Sequence, residues 1–423
     1  MKNLWARRRR NGWLLAELIL VCIVTWVITD PLVVLTHDRN LPEGFRPDHL
    51  FVLNLRNYPS DSEKYREEEN DTLARQANFE RILMKLKSYE GVESVTYILD
   101  GMMPYGSASS TTSIPFDTVW VNAFQMDFVS RSDYFRTMGI EGAEGMRMES
   151  LDQCDFAEGE LVVSSDILSM LPDGKPLYNR QIMKNDSTGT QRVAGVINPI
   201  RLRSHMQAMP LILHPQVELS YYFYNRPQLA FRIRDNLSEE AFLHHFRPWM
   251  SKELVAGNFY AQSVTPYSSI KAYNEFSNGV TNEYRINIAL GIFFLVNLCL
   301  GVAGTFWMQT RTRREEVGIM LSFGGSPRHI TRMLLAEGWV LTTLATFIGC
   351  GIYLQYALKN GLYSTLWEGF GSPAGYWVNN FTLHFLGVSL MVYLILMAIV
   401  SIGIWIPAYK ISRIHPVDAL RDE

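Results

Sequence analysis

Disulfide cross-links are the first thing this chain does without. Its 423 residues include four cysteines, and Cys22, Cys299 and Cys350 fall inside long apolar stretches. There a thiol behaves as a small apolar packing group. Only Cys154 lies in the polar part of the chain, so that part closes no internal disulfide and stands on its hydrophobic core. Surplus positive charge is lacking as well. The formal net charge is −3, and acidic residues outnumber basic ones over residues 36–285, which argues against nucleic acid as a partner. Signatures of catalysis are missing too. No G-x-x-x-x-G-K-[ST] occurs, and LPDGKP around Gly174 lacks the upstream glycine a phosphate loop needs. No H-E-x-x-H is present, and GFGSPAG has no glycine two residues before Ser372, as a nucleophile elbow requires. His244 and His245 are adjacent on a helical stretch and point in different directions, a poor metal pair. The expectation is a non-enzymatic chain with no metal and no cofactor of its own.

What the sequence does have is long apolar runs. About 20 consecutive apolar residues cross a bilayer as a helix, and residues 13–35, 286–308, 333–354 and 385–406 meet that length. Lysine and arginine collect before the first run (Arg7 to Arg10), between the second and third (Arg311, Arg313, Arg314, Arg328, Arg332) and after the fourth (Lys410, Arg413, Arg421). Between the third and fourth only Lys359 occurs. The basic side faces the cytoplasm, so residues 1–12, the linker 309–332 and the tail 407–423 read as cytoplasmic. Residues 36–285 and the loop 355–384 read as extracytoplasmic. The first run is longer than a signal-peptide core, and ITDPLVVLTHD after it offers no small-x-small cleavage site, so it reads as a retained anchor.

The fold class expected is therefore an α+β membrane protein, with four transmembrane helices and a large mixed α/β domain between the first and second. Within that domain HLFVLNL (His49 to Leu55) predicts a strand. Phe79, Ile82, Leu83 and Leu86 at i, i+3, i+4, i+7 predict a helix ended by Gly91, and VESVTYI the next strand. Further strands are predicted at DTVWVNAF, ELVVSS and QRVAGVI. A second strand–helix–strand unit runs from LAFRIRD, through a helix capped by Asn236 or Ser238, to FYAQSV. Two such units around a β-rich middle imply an inserted subdomain.

The cytoplasmic linker RREEVGIMLSFGGSPRHI, Arg313 to Ile330, is the most ordered charged segment of the chain. Glu315 and Glu316 suit the first turn of a helix whose Val317, Met320, Leu321 and Gly324 share a face. Gly324 and Gly325 stop it, Ser326 is a good N-cap and Pro327 a good first residue for the helix that follows. Such an amphipathic helix either lies on the headgroups as a connector or docks its apolar face into a groove on a cytosolic partner.

RREEVGIMLSFGGSPRHITRMLLAEG resembles the signature of FtsX-like permeases, the membrane subunits of MacB-type ABC transporters. Arg313, Glu316, Gly318, Ile319, Gly324, Ser326, Ile330 and Glu337 match that pattern. The tail PAYKISRIHPVDALRDE is similar to the family's tail at Pro407, Arg413, Pro416, Leu420 and Arg421, among others. Gly325 departs from the family's alanine, Phe323 and Ser322 from its leucine and alanine, and His415 from its aspartate. The resemblance implies a chain in the bacterial inner membrane, its large domain periplasmic. ATP and magnesium would be held by a partner ABC ATPase, which would push on the coupling segment: Arg313, Glu315, Glu316, Gly318, Ile319, Gly324, Gly325, Ser326, Pro327, Arg328 and Ile330. It also implies a second permease chain, and a periplasmic adaptor or outer-membrane conduit as a further partner class. The motion would reach the large domain through the first two spans to export or extract a peptide, antibiotic, lipoprotein or other amphiphile. The alternative is a non-transporting regulator that switches an extracytoplasmic partner such as a cell-wall hydrolase.

Three acids fall within or beside the spans. Glu17 and Glu337 lie near the cytoplasmic ends and are expected to pair with bases such as Arg10 or Arg332, with part of a proton path as the alternative. Asp30, before Pro31, marks the far end of the first span. Gly291, Gly301, Ala303 and Gly304 of the second span would let helices approach closely.

Overall fold

The computed structural model describes residues 8–106, 108–117, 119–157, 159–183, 189–312, 314–367, 369–370 and 376–413. It forms two units, each with its own core. The helical unit comprises residues 1–37, 281–364 and 376–423, and the α/β unit residues 38–280 and 365–375.

The first helix is α1 (Arg8–Arg39). In the α/β unit, β1 (Leu50–Asn57), α2 (Thr72–Ser88) and β2 (Val92–Ile98) make the first strand–helix–strand. The insertion carries β3 (Ser110–Phe116), β4 (Val119–Val129), β5 (Glu160–Ser164), β6 (Gln181–Met183), β7 (Thr190–Ile197) and β8 (Leu211–Gln216). Then come β9 (Gln228–Ile233), α3 (Glu239–Glu253), β10 (Val255–Ala256), β11 (Phe259–Pro266) and α4 (Tyr267–Ser277). The flanking elements build one antiparallel sheet, β10-β11-β1-β9-β2, in a split β-α-β arrangement. The insertion builds a mixed six-stranded sheet, β3-β4-β8-β5-β7-β6, parallel at β4/β8 and β5/β7.

Period-two burial explains why both sheets hold. Phe51, Leu53 and Leu55 of β1 join Phe79 and Phe246 of α2 and α3, while Leu50 and Val52 on the opposite face meet Phe124, Leu211 and Leu213 of the second sheet. Leu161 and Val163 of β5 fill a further core beyond that sheet. Asp71 caps α2, its side chain accepting from Ala74 N at 2.9 Å. That helix ends at Ser88, three residues before Gly91, which is needed instead in the turn into β2. Gly91 has φ +95°, and a Cβ there would stand 2.6 Å from Leu237 Cδ1. Ser238 occupies the N-cap of α3 without a side-chain cap bond.

Part of the loop expected at 355–384 belongs to the α/β unit. Thr365 Oγ1 donates to the buried Asp38 carboxylate at 2.6 Å, and Asn122 Nδ2 donates to Gly369 O at 2.6 Å. Trp367 and Phe370 pack on Phe124.

The helical unit adds α5 (Val280–Thr312), α6 (Arg314–Ser322), α7 (Pro327–Asn360) and α8 (Phe381–Ile411) to α1. Four of these, α1, α5, α7 and α8, are long and apolar enough to cross a membrane. Each extends beyond its apolar run in the sequence. In particular α8 continues through Pro407 to Ile411, so the expected tail begins as helix. Small residues sit at the close approaches. A Cβ on Gly301 would lie 2.5 Å from Glu17 Oε1, one on Gly349 2.8 Å from Cys22 Sγ, and one on Gly403 3.1 Å from Val302 Cγ1. Gly291 faces Ile28, whereas Gly304 faces open space. Trp26 stacks between Tyr353 and Phe385, with its Nε1 donating to Ser389 Oγ at 3.3 Å.

Candidate functional site

At one end of the helical unit the two sequence motifs meet. Gly325 N donates to Met320 O at 2.9 Å and Gly324 N to Leu321 O at 3.0 Å, with Gly324 at φ +89°. That pair of bonds is the Schellman ending of a helix, which satisfies two otherwise orphan carbonyls of α6. Gly325 has to be glycine in this geometry, since a Cβ would stand 2.6 Å from Met320 O. Ser326, extended at ψ 146°, then caps α7 by accepting from His329 N at 3.3 Å, with Pro327 in the first turn. The chain thus turns sharply from α6 into α7 with its backbone groups bonded.

The burial of α6 differs from the face expected. Val317 and Gly318 are buried and Leu321 packs on the same core, while Met320 faces out. The residues left in the open are Glu316, Ile319, Met320 and Phe323, the last 89% exposed. Ile330 is fully buried beside Ile411 in the helical core, while Ser326, Pro327 and Arg328 are exposed. Thr331 Oγ1 donates to Ser412 Oγ at 3.2 Å, which ties the start of α7 to the end of α8. Lys410 Nζ lies 4.7 Å over the ring of Trp307 at the end of α5, and the Arg413 guanidinium 4.3 Å over Tyr409. Pro407 is buried within α8. Of the remaining motif residues, Arg313, Pro416, Leu420 and Arg421 lie outside the described residues, and Glu315 is described only as part of α6.

The expected acids divide. Glu17 lies against Gly301 of α5, and the side chain of Arg10, a base expected to pair with it, is outside the described residues. Glu337 precedes Gly338, which packs against Ile404 of α8. Asp30 is more than a boundary marker. It is buried, its Oδ1 lies 2.7 Å from His384 Nε2 of α8, and its Oδ2 accepts from Tyr363 N at 3.0 Å. His384 and Tyr363 escaped the sequence reading. The available signal was an acid near the far end of one apolar run and a histidine at the same end of another.

Residues 288–416 match the family model described as FtsX-like permease C-terminal. A curated relative, the ABC transporter permease YtrF of Bacillus subtilis (strain 168), is 26% identical over 179 residues, 41% of this chain. The match spans 39% of that relative's length. Two solved structures align with the chain at low similarity. The periplasmic region of MacB from Actinobacillus actinomycetemcomitans is 12% identical, with TM-score 0.30, over 55% of this chain and 94% of that one. A domain of a putative permease protein from Porphyromonas gingivalis is 15% identical, with TM-score 0.31, over 54% and 93%. Residues 288–416, which hold the α6–α7 turn and most of the last three long helices, are thus similar to the C-terminal part of FtsX-like permeases.

Proposed function

We propose that this chain is the membrane subunit of a MacB-type ABC transporter, which receives motion from a cytoplasmic ATPase and passes it to the α/β unit on the far side of the inner membrane. The observation that carries the reading is the outward face of α6. Ile319 and Met320, with Phe323 just past the last turn, are exposed beside Glu316 on a helix whose other face is anchored by Val317 and whose end is locked by the two glycines. A short rigid helix with an apolar tip fits a groove on a partner, and its bonded turn hands displacement directly to α7. A second copy of the chain fits α5, of whose most apolar stretch only 11% is buried inside the chain. ATP and magnesium belong to the partner ATPase in this reading, and the cargo is a peptide, lipoprotein or other amphiphile.

Co-purification tests it. Phe323→Asp leaves the buried face of α6 untouched and is expected to abolish recovery of the ATPase with the membrane subunit, and Glu316→Arg to weaken it. If the ATPase stays bound to both variants and its ATP turnover still responds to the membrane subunit, the docking site is elsewhere.

A further inference from the structure

Asp30 and His384 come from the first and last long helices, and both side chains are almost wholly buried. The surrounding bonds fix how many protons the pair holds. Val378 O, 2.9 Å from Nδ1, can only accept, so Nδ1 carries a hydrogen. Nε2 and Asp30 Oδ1 are 2.7 Å apart. Two bare lone pairs do not face each other at that distance in an apolar interior. A second hydrogen therefore lies between Nε2 and Oδ1, whichever atom it is bonded to. With it the pair is neutral overall. Without it, a carboxylate is buried with the Tyr363 amide as its one hydrogen-bond donor among the described residues.

We propose that Asp30 and His384 form a proton-binding site, and that its one shared proton clasps α1 to α8. Release takes that proton to water and leaves a neutral imidazole, still bonded through Nδ1–H to Val378 O, beside an aspartate; no electrons move. The clasp reaches the other helices as well. Tyr363, just after α7, bonds Asp30 through its amide, and its hydroxyl donates to Glu283 Oε1 of α5 at 2.9 Å. Among the described residues, the titratable groups around the pair are Tyr353 on α7, Tyr363, and through it Glu283 on α5. His37 of α1 packs edge-on to Trp377, which packs edge-on to His384. Loss of the proton removes this bond between α1 and α8 while the Trp26 contacts remain, so pH on that side sets how firmly the helices are held at this end. Any bearing of this on coupled transport rests on the membrane-subunit reading above.

The test uses the full-length chain in phospholipid nanodiscs, 15N-labelled at histidine, with the His384 signals identified by their loss in His384→Gln. The ring nitrogens of His384 are expected to report one titration as pH rises, with the unfolding temperature of the helical unit falling by several degrees over the same interval. Asp30→Asn keeps an acceptor for the Tyr363 amide and is expected to fold, yet to lose both the titration step and the fall. The exchange of Asp30→His with His384→Asp is expected to restore the fall. A His384 signal that never titrates while the fold survives, or an unfolding temperature that follows one pH curve in wild type and Asp30→Asn alike, overturns the proposal. An ATPase that does not bind the wild-type chain leaves these readouts in place and counts against the membrane-subunit reading alone.

Discussion

Arg232 of β9 gives its guanidinium to three backbone carbonyls, Thr137 O at 2.9 Å, Asp48 O at 2.8 Å and Arg46 O at 2.6 Å. Burial pulls its pKa down to about 10, so it remains charged at neutral pH. Arg232→Met would fill much of the space but take the donor from the buried Thr137 O and from the partly buried Asp48 O and Arg46 O. It is expected to destabilise the α/β unit by about 3–5 kcal/mol, read from denaturant unfolding. Asp166 is the opposite case, a polar group the fold holds at a cost. Ser164 Oγ donates to its Oδ1 at 2.5 Å, its Oδ2 is buried with no hydrogen-bond partner among the described residues, and burial pushes its pKa up to about 6 from an ordinary 3.8. A carboxyl raised in the folded state stabilises the fold fully below pH 3.8 and loses that contribution as pH rises through about 6. Asp166→Asn should therefore be more stable than wild type near neutral pH, by about 1–3 kcal/mol. The advantage should shrink as pH falls toward 5, roughly one unit below the folded pKa. Half-buried His205, lowered to about 4, works the other way, because its contribution is present above 6.5 and lost on acidification. The comparison must therefore be the difference between variant and wild type at each pH, measured as thermal unfolding.

At the scale of elements, the turn from α6 to α7 is where residue choice is most constrained. Gly325→Ala would set a methyl against Met320 O, the acceptor of its own amide bond, and Gly324→Ala would hold an L side chain at φ +89°. Each should cost about 1–2 kcal/mol locally. The measurement is amide hydrogen exchange, with the Gly324 and Gly325 amides exchanging faster while those at the centre of α7 do not. This turn was legible in the sequence because glycine, serine and proline each announce a backbone conformation. The face of α6 was not, since periodicity grouped Val317, Met320 and Leu321 on one docking face, whereas Val317 and Leu321 pack into the helical core and Met320 stays exposed. The flanking strands and helices of the α/β unit were readable from alternation and helical spacing. Strands β3 and β8 were not, because each contains a proline. Pro115 is tolerated on the edge strand β3, and Pro215 of β8 lies beyond the short stretch, Ile212 and Leu213, where β5 pairs with it. Asp30 was visible as an acid but its meaning depended on His384, and no local pattern brings together residues so far apart in the chain.

For the molecule as a whole, the consequence of two separate cores is two unfolding events. The α/β unit closes over three apolar clusters of its own, and the helical unit over a fourth. Calorimetry of the full chain in detergent or nanodiscs should then resolve two transitions, and substitutions should move them one at a time. Thr365 and Phe370 make the sharper test, because in sequence they sit between two long apolar helices while they pack within the α/β unit. Thr365→Val removes a donor from the buried carboxylate of Asp38, and Phe370→Ala removes a ring stacked 5.0 Å from Phe124. Each is expected to destabilise the α/β unit by about 2 kcal/mol. Both should lower the transition assigned to that unit and leave the other in place, while Asp30→Asn should do the reverse. A single transition that shifts with all three would mean that the two cores unfold as one cooperative body, and the division of the chain at residues 37 and 280 would then have no thermodynamic counterpart.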